Sequence, residues 1–418
     1  MKIGRVRAID GGAGATLVEV IAEDGATGIG LTQSAHEYIA PIIERGPYPL
    51  APMLVGQDPR SPARLWRRMF ETFGAAKGRG SESGLATNAM AALDMAIWDL
   101  AGKALGVPVH ALLGGAVRDS IPAYASSSLF VSSSYERGGA ESEWRLKSPD
   151  RLRDECRTYV TQGFRAVKFG WGNNFTGADE ERLAAIREGL GPDVRLMIDF
   201  GCPAYWTPGW NATAAIRAAR ILERYDVFFF EEPMPPQDIA GHRAVADAVN
   251  VNIATGESLT LLEEFERFID ARAIDIVQPD AAQLGLTQLH QVGRRAESEG
   301  ILCVPHSPWS ALCVAAHVAA CVTLRNSALI EYPAMASFEP GSTTAAATGF
   351  YQFELVEHPP VLTDGLLRPT DRPGLGLGGF RTEALDRIAR GEVIGAGTWA
   401  GAEPASPAAS ESAPRAVR

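Results

Sequence analysis

The sequence contains few cysteines, and none of them is spaced as Cys-x-x-Cys. Their number is odd and they are widely scattered along the chain. The five positions are Cys156, Cys202, Cys303, Cys313 and Cys321. This pattern fits a protein in a reducing compartment better than a disulfide framework or a zinc site.

Long hydrophobic runs are also missing. The longest uncharged apolar stretch, 311–324, contains His317 and is too short for a membrane span. The first ten residues lack the apolar core and the cleavage site of a signal peptide. These features favour a soluble, cytoplasmic protein with no membrane contact, in which 311–324 forms a buried helix.

Positive charge is scarce, because 39 Lys and Arg residues stand against 50 Asp and Glu residues, which gives a formal net charge of −11. No basic cluster offers the electrostatic surface that a nucleic-acid backbone requires, so we expect no nucleic-acid partner. The same balance raises a question about anionic substrates. Any such substrate needs positive charge that the site supplies locally.

The first part of the chain has an α+β pattern. Two β-rich segments flank the turn Glu23-Asp-Gly25 and predict an antiparallel hairpin, with strands over 16–22 and 27–32. Apolar residues at helical spacing predict a long helix over 87–105, capped by Thr87 or Asn88. We therefore expect an α+β domain over 1–118.

The pattern then changes to short apolar strands that alternate with helical segments. The strands are predicted at 121–126, 165–169, 195–200, 227–231, 252–255, 274–278, 301–305 and 328–331. Nearly continuous apolar strands between helices indicate a parallel sheet covered by helices, and eight such units are typical of a TIM-type barrel. A doubly wound open sheet is the alternative, but no G-x-G-x-x-G follows the first strand.

The predicted fold class is thus α/β, a (β/α) barrel of seven or eight units with an N-terminal α+β domain. The barrel is expected over 119–332. Mixed strand and turn material over 333–394 is expected to return to the N-terminal domain and complete it. The end, 395–418, is dominated by Ala, Gly, Ser and Pro and is predicted to be a disordered tail.

Three acidic residues end consecutive strands of the predicted barrel: Asp199, Glu231 and Glu257. The carboxyl ends of barrel strands lie side by side, where barrel enzymes place their active sites. Carboxylates that close together raise each other's pKa unless a cation lies between them, and hard oxygen ligands suit Mg²⁺. The alternative is that each is an ordinary loop acid, but three in succession favour a metal site.

Other ionisable residues also follow strands. Lys168 ends the second strand, and Asp280, His306 and Glu331 follow or end the last three. Asp280 can accept the Nδ1 proton of His306, as in a general base, whereas the alternative is a capped loop histidine. Lys168 is expected to face His306 across the barrel mouth, with a pKa lowered by the cation; otherwise it is a salt-bridge partner of Asp199.

These residues lie in motifs that resemble the enolase superfamily, in its mandelate racemase subgroup, over nearly the whole chain. The motifs are Val167-Lys-Phe-Gly170, Leu196-Met-Ile-Asp-Phe200, Phe230-Glu-Glu-Pro233, Gly256-Glu-Ser258, Gln278-Pro-Asp280, Pro305-His-Ser307 and Ile330-Glu-Tyr332. The segment 96–108 with Leu112-Leu-Gly-Gly115 is similar to the family's capping-domain signature.

The resemblance implies roles for these positions. Asp199, Glu231 and Glu257 would be Mg²⁺ ligands. Lys168 would be one base and the His306–Asp280 pair the other, with Glu331 hydrogen-bonded to the far side of the substrate. Family members of this kind use such bases with Mg²⁺ to stabilise an enediolate, and they usually form symmetric homo-oligomers.

The sequence departs from the family pattern in two places. Ala166 stands where the subgroup often has a first lysine of Lys-x-Lys, and Gly201 stands where it often has asparagine. The muconate-lactonising and dipeptide-epimerase branch would need a lysine after the sixth strand, but 279–286 contains none. The segment 130–146 looks like an insertion at the rim of the site.

The implied activity is dehydration of a sugar acid, which begins with removal of the proton beside the carboxylate and ends in a 2-keto-3-deoxy acid. A racemase, epimerase or cycloisomerase that uses the same enediolate is the alternative, and a non-catalytic metal-binding barrel is a third. Three aromatic residues near strand ends are candidates for substrate contact or for packing: Trp171, Tyr205 and Trp309.

Overall fold

The computed structural model describes residues 1–12, 14–46, 48–77, 84–132, 144–171, 177–205, 207–306, 310–333 and 353–390. The predicted tail at 395–418, Trp309, and residues 133–143 of the predicted insertion lie outside these ranges. Among the described residues, no helix is both long enough and apolar enough to cross a membrane.

The chain begins with a three-stranded antiparallel sheet in the order β1-β2-β3. Its strands are β1 (Ile3–Asp10), β2 (Thr16–Ala22) and β3 (Thr27–Thr32). The β-branched residues of β2 favour extended backbone, and Gly25, with φ +91°, supplies the tight turn into β3. The predicted hairpin is therefore confirmed, and β1 adds a third strand to it.

Five helices follow among the residues that the structure describes, with a π-helical turn at Pro41–Arg45. They are α1 (His36–Ala40), α2 (Ala51–Leu54), α3 (Pro62–Lys77), α4 (Leu85–Leu105) and α5 (Val109–Leu112). Helix α4 lies so close to β3 that a Cβ added to Gly30 would stand 2.0 Å from the Ala92 carbonyl oxygen. The predicted cap was wrong, because α4 begins one turn earlier, after Gly84, and both Thr87 and Asn88 lie inside it.

A second sheet begins with β4 (Ile121–Ser128), which is followed by a hairpin of β5 (Phe130–Ser132) and β6 (Trp144–Leu146). Seven further strands run parallel to β4. They are β7 (Ala166–Gly170), β8 (Arg195–Asp199), β9 (Val227–Glu231), β10 (Asn252–Thr255), β11 (Ile276–Val277), β12 (Leu302–Cys303) and β13 (Ile330–Pro333). Strand β13 pairs with β4, and a parallel bridge joins Cys303 to Ser327, so the sheet closes on itself. The predicted eight-stranded barrel is confirmed, and the open-sheet alternative is excluded.

In the described ranges, seven helices surround the barrel. They are α6 (Pro149–Thr161), α7 (Gly177–Leu190), α8 (Ala212–Glu223), α9 (Ile239–Ala246), α10 (Leu262–Asp270), α11 (Ala281–Ser298) and α12 (Ala311–Cys321). Gly285, with φ +81°, breaks α11 after its first turn. The expected buried helix at 311–324 is α12, whose residues are all buried.

The C-terminal segment contains β14 (Leu362–Thr363), β15 (Leu366–Leu367) and α13 (Thr382–Ala389). Strand β15 pairs antiparallel with β4 of the barrel, and the amide of Val109 in α5 donates to the carbonyl of Gly374. Buried Asp99 of α4 accepts hydrogen bonds from the amides of Ile29 (3.0 Å) and Leu375 (2.8 Å), and from the ammonium of Lys103 (2.7 Å). One carboxylate thus joins β3, α4 and the C-terminal segment.

Candidate active site

The barrel interior is filled by an apolar layer below the site. Its buried members, from all eight strands or their flanks, are Tyr124, Ala166, Met197, Phe229, Ala254, Ile276, Val304 and Leu329. Because strand side chains alternate between faces, the residues two positions later also point inward, nearer the carboxyl ends. Those positions include Lys168, Asp199, Glu231, Gln278, His306 and Glu331. The polar site therefore rests on an apolar floor.

The three predicted metal ligands lie together. One carboxylate oxygen from each of Asp199, Glu231 and Glu257 lies within 4.8 Å of the others. Glu231 is fully buried, whereas the side chains of Asp199 and Glu257 keep 20% and 30% of their surface exposed at the barrel mouth. Burial raises the pKa of the Glu231 carboxyl, Lys168 opposes that shift, and the neighbouring carboxylates add to it. Carboxylates this close repel one another when ionised, and a cation between them relieves that repulsion. Their oxygens are the hard ligands that Mg²⁺ prefers.

Lys168 is buried at the foot of this acidic cluster. Its ammonium donates to Glu231 Oε1 and Oε2 at 3.0 and 2.8 Å and lies 3.2 Å from Glu331 and 3.7 Å from Asp199. Burial lowers the pKa of Lys168, but the carboxylates outweigh burial and hold that pKa well above its usual range. The carboxylates around Lys168 thus raise its pKa, whereas a divalent cation beside it is expected to lower that pKa. Glu231, rather than Asp199, is the main partner.

His306 and Asp280 form the predicted pair. His306 Nδ1 lies 2.9 Å from Asp280 Oδ2, and His306 Nε2 lies 3.2 Å from Glu257 Oε2. Asp280 is fully buried, and its other oxygen accepts the amide of Ala282 at 2.8 Å, so the carboxylate is held on both sides. His306 Nε2 therefore faces the acidic cluster. Lys168 contacts the acidic cluster at Glu231, and His306 contacts the cluster at Glu257.

Glu331 is brought to the site next to Lys168. Its hydrogen bond to the far side of the substrate remains a prediction. The Glu331 carboxylate lies 3.2 Å from Lys168 Nζ and is fully buried beside Tyr124, whose ring centroid is 5.8 Å from the same ammonium. Two carboxylates and an aromatic ring therefore hold Lys168 in place.

The structure describes two of the three aromatic residues that were predicted near the substrate. The side chain of Trp171 is fully buried in the outer core and stacks on Phe200 with centroids 6.3 Å apart, and its contact with substrate remains a prediction. Tyr205 is 60% exposed beyond β8 and remains a prediction. Trp309 lies outside the described residues.

Two site residues were missed by the sequence reasoning. Gln278 is fully buried, and neither of its amide atoms has a hydrogen-bond partner among the described residues. Glu232, with φ +47°, is buried and accepts a hydrogen bond from Cys202 Sγ at 3.1 Å. Both lie in motifs noted in the sequence, and the period-two alternation that places Lys168 inside the barrel would have identified Gln278.

A closed parallel barrel with clustered acids, a lysine and a histidine–aspartate pair at its strand ends defines a class of acid–base barrel enzymes. Comparison with known families agrees. Residues 151–378 match the model described as enolase C-terminal domain-like, and 10–114 match the mandelate racemase / muconate lactonizing enzyme N-terminal domain. The chain belongs to the enolase superfamily, in its mandelate racemase subgroup.

Two relatives of the chain differ in reaction type. The 3,6-anhydro-alpha-L-galactonate cycloisomerase of Streptomyces coelicolor is 30% identical over 90% of this chain and 91% of its own. The L-talarate/galactarate dehydratase of Salmonella typhimurium is 31% identical over 69% of this chain and 67% of its own. Both act on sugar acids.

Solved structures share the fold. One is a mandelate racemase/muconate lactonizing protein from Paracoccus denitrificans complexed with magnesium. It superposes with a TM-score of 0.74 at 27% identity, over 92% of this chain and 97% of that one.

Proposed function

We propose that this protein is a Mg²⁺-dependent sugar-acid dehydratase. The observation that carries the proposal is the placement of Lys168 and His306 on two sides of the cluster of Asp199, Glu231 and Glu257. These three residues would hold Mg²⁺, and the magnesium complex of the Paracoccus protein supports that assignment. Bound there, the ion supplies Lewis-acid stabilisation of negative charge on carboxylate oxygens.

The protein's own groups would handle the protons. Lys168 is the base for the proton beside the substrate carboxylate, and a cation held by the three acids would weaken the ion pair with Glu231 that keeps Lys168 protonated. His306, protonated at Nε2, is the acid for the β-hydroxyl, which leaves as water when the C–O bond breaks. The resulting enol becomes a 2-keto-3-deoxy acid by taking up a proton at the β-carbon.

Asp280 and Glu331 complete this assignment. Asp280 accepts the Nδ1 proton of His306 and stabilises the imidazolium, so that Nε2 points at the substrate. Glu331 holds Lys168 at the same position in each turnover, and it can donate to the substrate when protonated. With a cation held by the three acids, Lys168 and protonated His306 would add positive charge beside a sugar acid, although the net charge of the chain is −11.

Cycloisomerisation is the second candidate, because the match to the Streptomyces cycloisomerase spans nine-tenths of both chains. In that case the β-oxygen belongs to a ring ether and stays attached after its bond to carbon breaks. The first step and the base are the same. The product is then an isomer of the substrate, whereas dehydration gives a product lighter by one water.

The test is a screen of purified protein with Mg²⁺ against a stereochemically complete set of mono- and di-acid sugars and their 3,6-anhydro forms. Keto-acid release that fails in Lys168→Ala and His306→Ala supports the mechanism, and the product mass distinguishes dehydration from cycloisomerisation. Proton exchange in deuterated water without keto acid would instead indicate a racemase. Full activity in both variants, or no keto acid from any compound, would refute the proposal.

A further inference from the structure

A second histidine, His317, lies directly behind the Asp280–His306 pair. It belongs to α12 and is fully buried. Its Nε2 accepts a hydrogen bond from the amide of Ala281 at 3.0 Å and lies 3.9 Å from Asp280 Oδ1. It does not reach the acidic cluster, and the proposed mechanism assigns it no role.

The bonds of Asp280 show why its surroundings matter. Oδ1 accepts the amide of Ala282, and Oδ2 pairs with Nδ1 of His306. The amide of Ala281, which directly follows Asp280 in the chain, donates to His317 rather than to Asp280. Each carboxylate oxygen therefore keeps a single strong partner, and a buried backbone donor is not left to compete for Oδ2.

The turn that carries Asp280 also needs an anchor. Gly285, with φ +81°, separates the turn after Asp280 from the remainder of α11. The long helix therefore does not itself fix the position of this turn. Asn88 of α4 holds Gln283 in this turn, with bonds of 3.1 Å to its carbonyl and 2.7 Å to its side-chain oxygen. The bond from Ala281 to His317 is a second tie, next to Asp280 itself, and it joins the turn to α12.

The bond defines the protonation state of His317. Nε2 accepts, so the imidazole is neutral with its proton on Nδ1. Burial lowers the pKa of His317 to about 4, against the attraction of Asp280, and His306 lowers it further. A charged His317 would turn Nε2 into a donor, release the Ala281 amide and compete with His306 for the charge of Asp280.

We propose that His317 is a positioning residue: a neutral acceptor that holds the Ala281 amide and thereby aims Asp280 Oδ2 at Nδ1 of His306. It acts through Asp280 and touches no substrate. The effect of this positioning on turnover rests on the proposed function. The hydrogen bond between Asp280 and His306 does not depend on that function, and it can be measured without a substrate.

The test compares His317→Gln, whose amide oxygen can still accept the Ala281 bond, with His317→Leu, which cannot. His242→Leu is the matched control, because His242 is a fully buried histidine on another barrel helix, α9. The first readout is ¹⁵N NMR of labelled histidines in the full-length protein in Mg²⁺ buffer. We expect the Nδ1–H signal of His306 to persist in wild type, His317→Gln and His242→Leu, and to shift or disappear in His317→Leu.

The second readout is turnover of any substrate that the screen identifies. We expect kcat to fall by about 10- to 100-fold in His317→Leu with KM little changed, and His317→Gln to recover most of it. An unchanged His306 signal in His317→Leu, or equal losses in all three variants, would overturn the proposal. If His317→Leu does not fold, a wild-type His317 that is protonated at Nε2 would overturn it instead. The NMR outcome stands even where no sugar acid is turned over.

Discussion

The ammonium of Lys168 donates to both carboxylate oxygens of Glu231, at 3.0 and 2.8 Å, at the foot of the acidic cluster. The same carboxylate is one of the three whose oxygens converge within 4.8 Å. Glu231 is therefore shared between a buried ammonium and the proposed cation. The two positive charges repel each other, so binding of one has to weaken the hold on the other.

Replacing Lys168 by methionine should therefore strengthen Mg²⁺ binding several-fold while it abolishes turnover. The change removes a competing positive charge and keeps most of the side-chain volume. Isothermal titration with Mg²⁺ measures the affinity. The control is Lys147→Met, which removes a buried ammonium paired with Glu155 (2.7 Å) and should leave the affinity unchanged. Weaker binding in Lys168→Met would contradict this account.

Asp94 should make stability depend on pH near neutrality. Its oxygens accept the amide (2.8 Å) and hydroxyl (2.7 Å) of Thr287, and burial raises the pKa of Asp94 from 3.8 to about 7. Between these values the folded state binds more protons than the unfolded state. The free energy of unfolding should therefore fall as pH rises from about 4 to about 7, by at most ~1.4 kcal/mol per pH unit from this group, and level off above.

Urea unfolding of wild type and Asp94→Asn at several pH values from 5 to 8 measures this contribution. We expect a shallower dependence on pH in the variant. Asp58→Asn is the control, because the hydrogen bond from Arg60 lowers the pKa of exposed Asp58 to about 2, well below this window. Parallel curves for wild type and Asp94→Asn would show that Asp94 does not titrate there.

Asp99→Ala should destabilise the protein by roughly 3–5 kcal/mol, the usual loss when one partner of a buried ion pair is removed. The change leaves Lys103 without its carboxylate and two buried amides, those of Ile29 and Leu375, without their acceptor. Urea unfolding measures the loss. Asp99→Asn should lose less, because its oxygen can still accept one amide. A loss of stability no larger than that of Asp150→Ala, at an exposed position, would contradict the role of Asp99 in connecting β3, α4 and the C-terminal segment.

Gly30→Ala should cost about 1–3 kcal/mol or more, because the added Cβ meets the Ala92 carbonyl oxygen at 2.0 Å and only a shift of α4 away from β3 relieves the overlap. Gly4→Ala in β1 is the matched control, since its nearest contacts, all with Glu23, are at 3.4 Å. Thermal unfolding of both variants tests the difference. Similar melting temperatures would show that the helix can move without loss.

Much of this protein follows from local sequence. Apolar strands between amphipathic helices specify a parallel barrel, because strands that are buried on both faces have to be apolar throughout. The carboxyl ends of such strands converge, so the acids that end β8 and β9 and the one that follows β10 could be predicted to meet. The pairing of Asp280 with His306 followed from the same geometry.

Other features depend on packing between distant segments. Lys168 was within reach of Asp199 and Glu231 alike, and only the stagger of the strands makes Glu231 the nearer, at 2.8 rather than 3.7 Å. Trp171 directly follows β7, as a pocket residue would, but its side chain packs in the core against Phe200. His317 lies 36 positions from the amide that it accepts. Periodicity along the chain carries no information on such contacts, because they form only when strands and helices distant in sequence pack together. These contacts of the site were therefore determined by the tertiary structure alone.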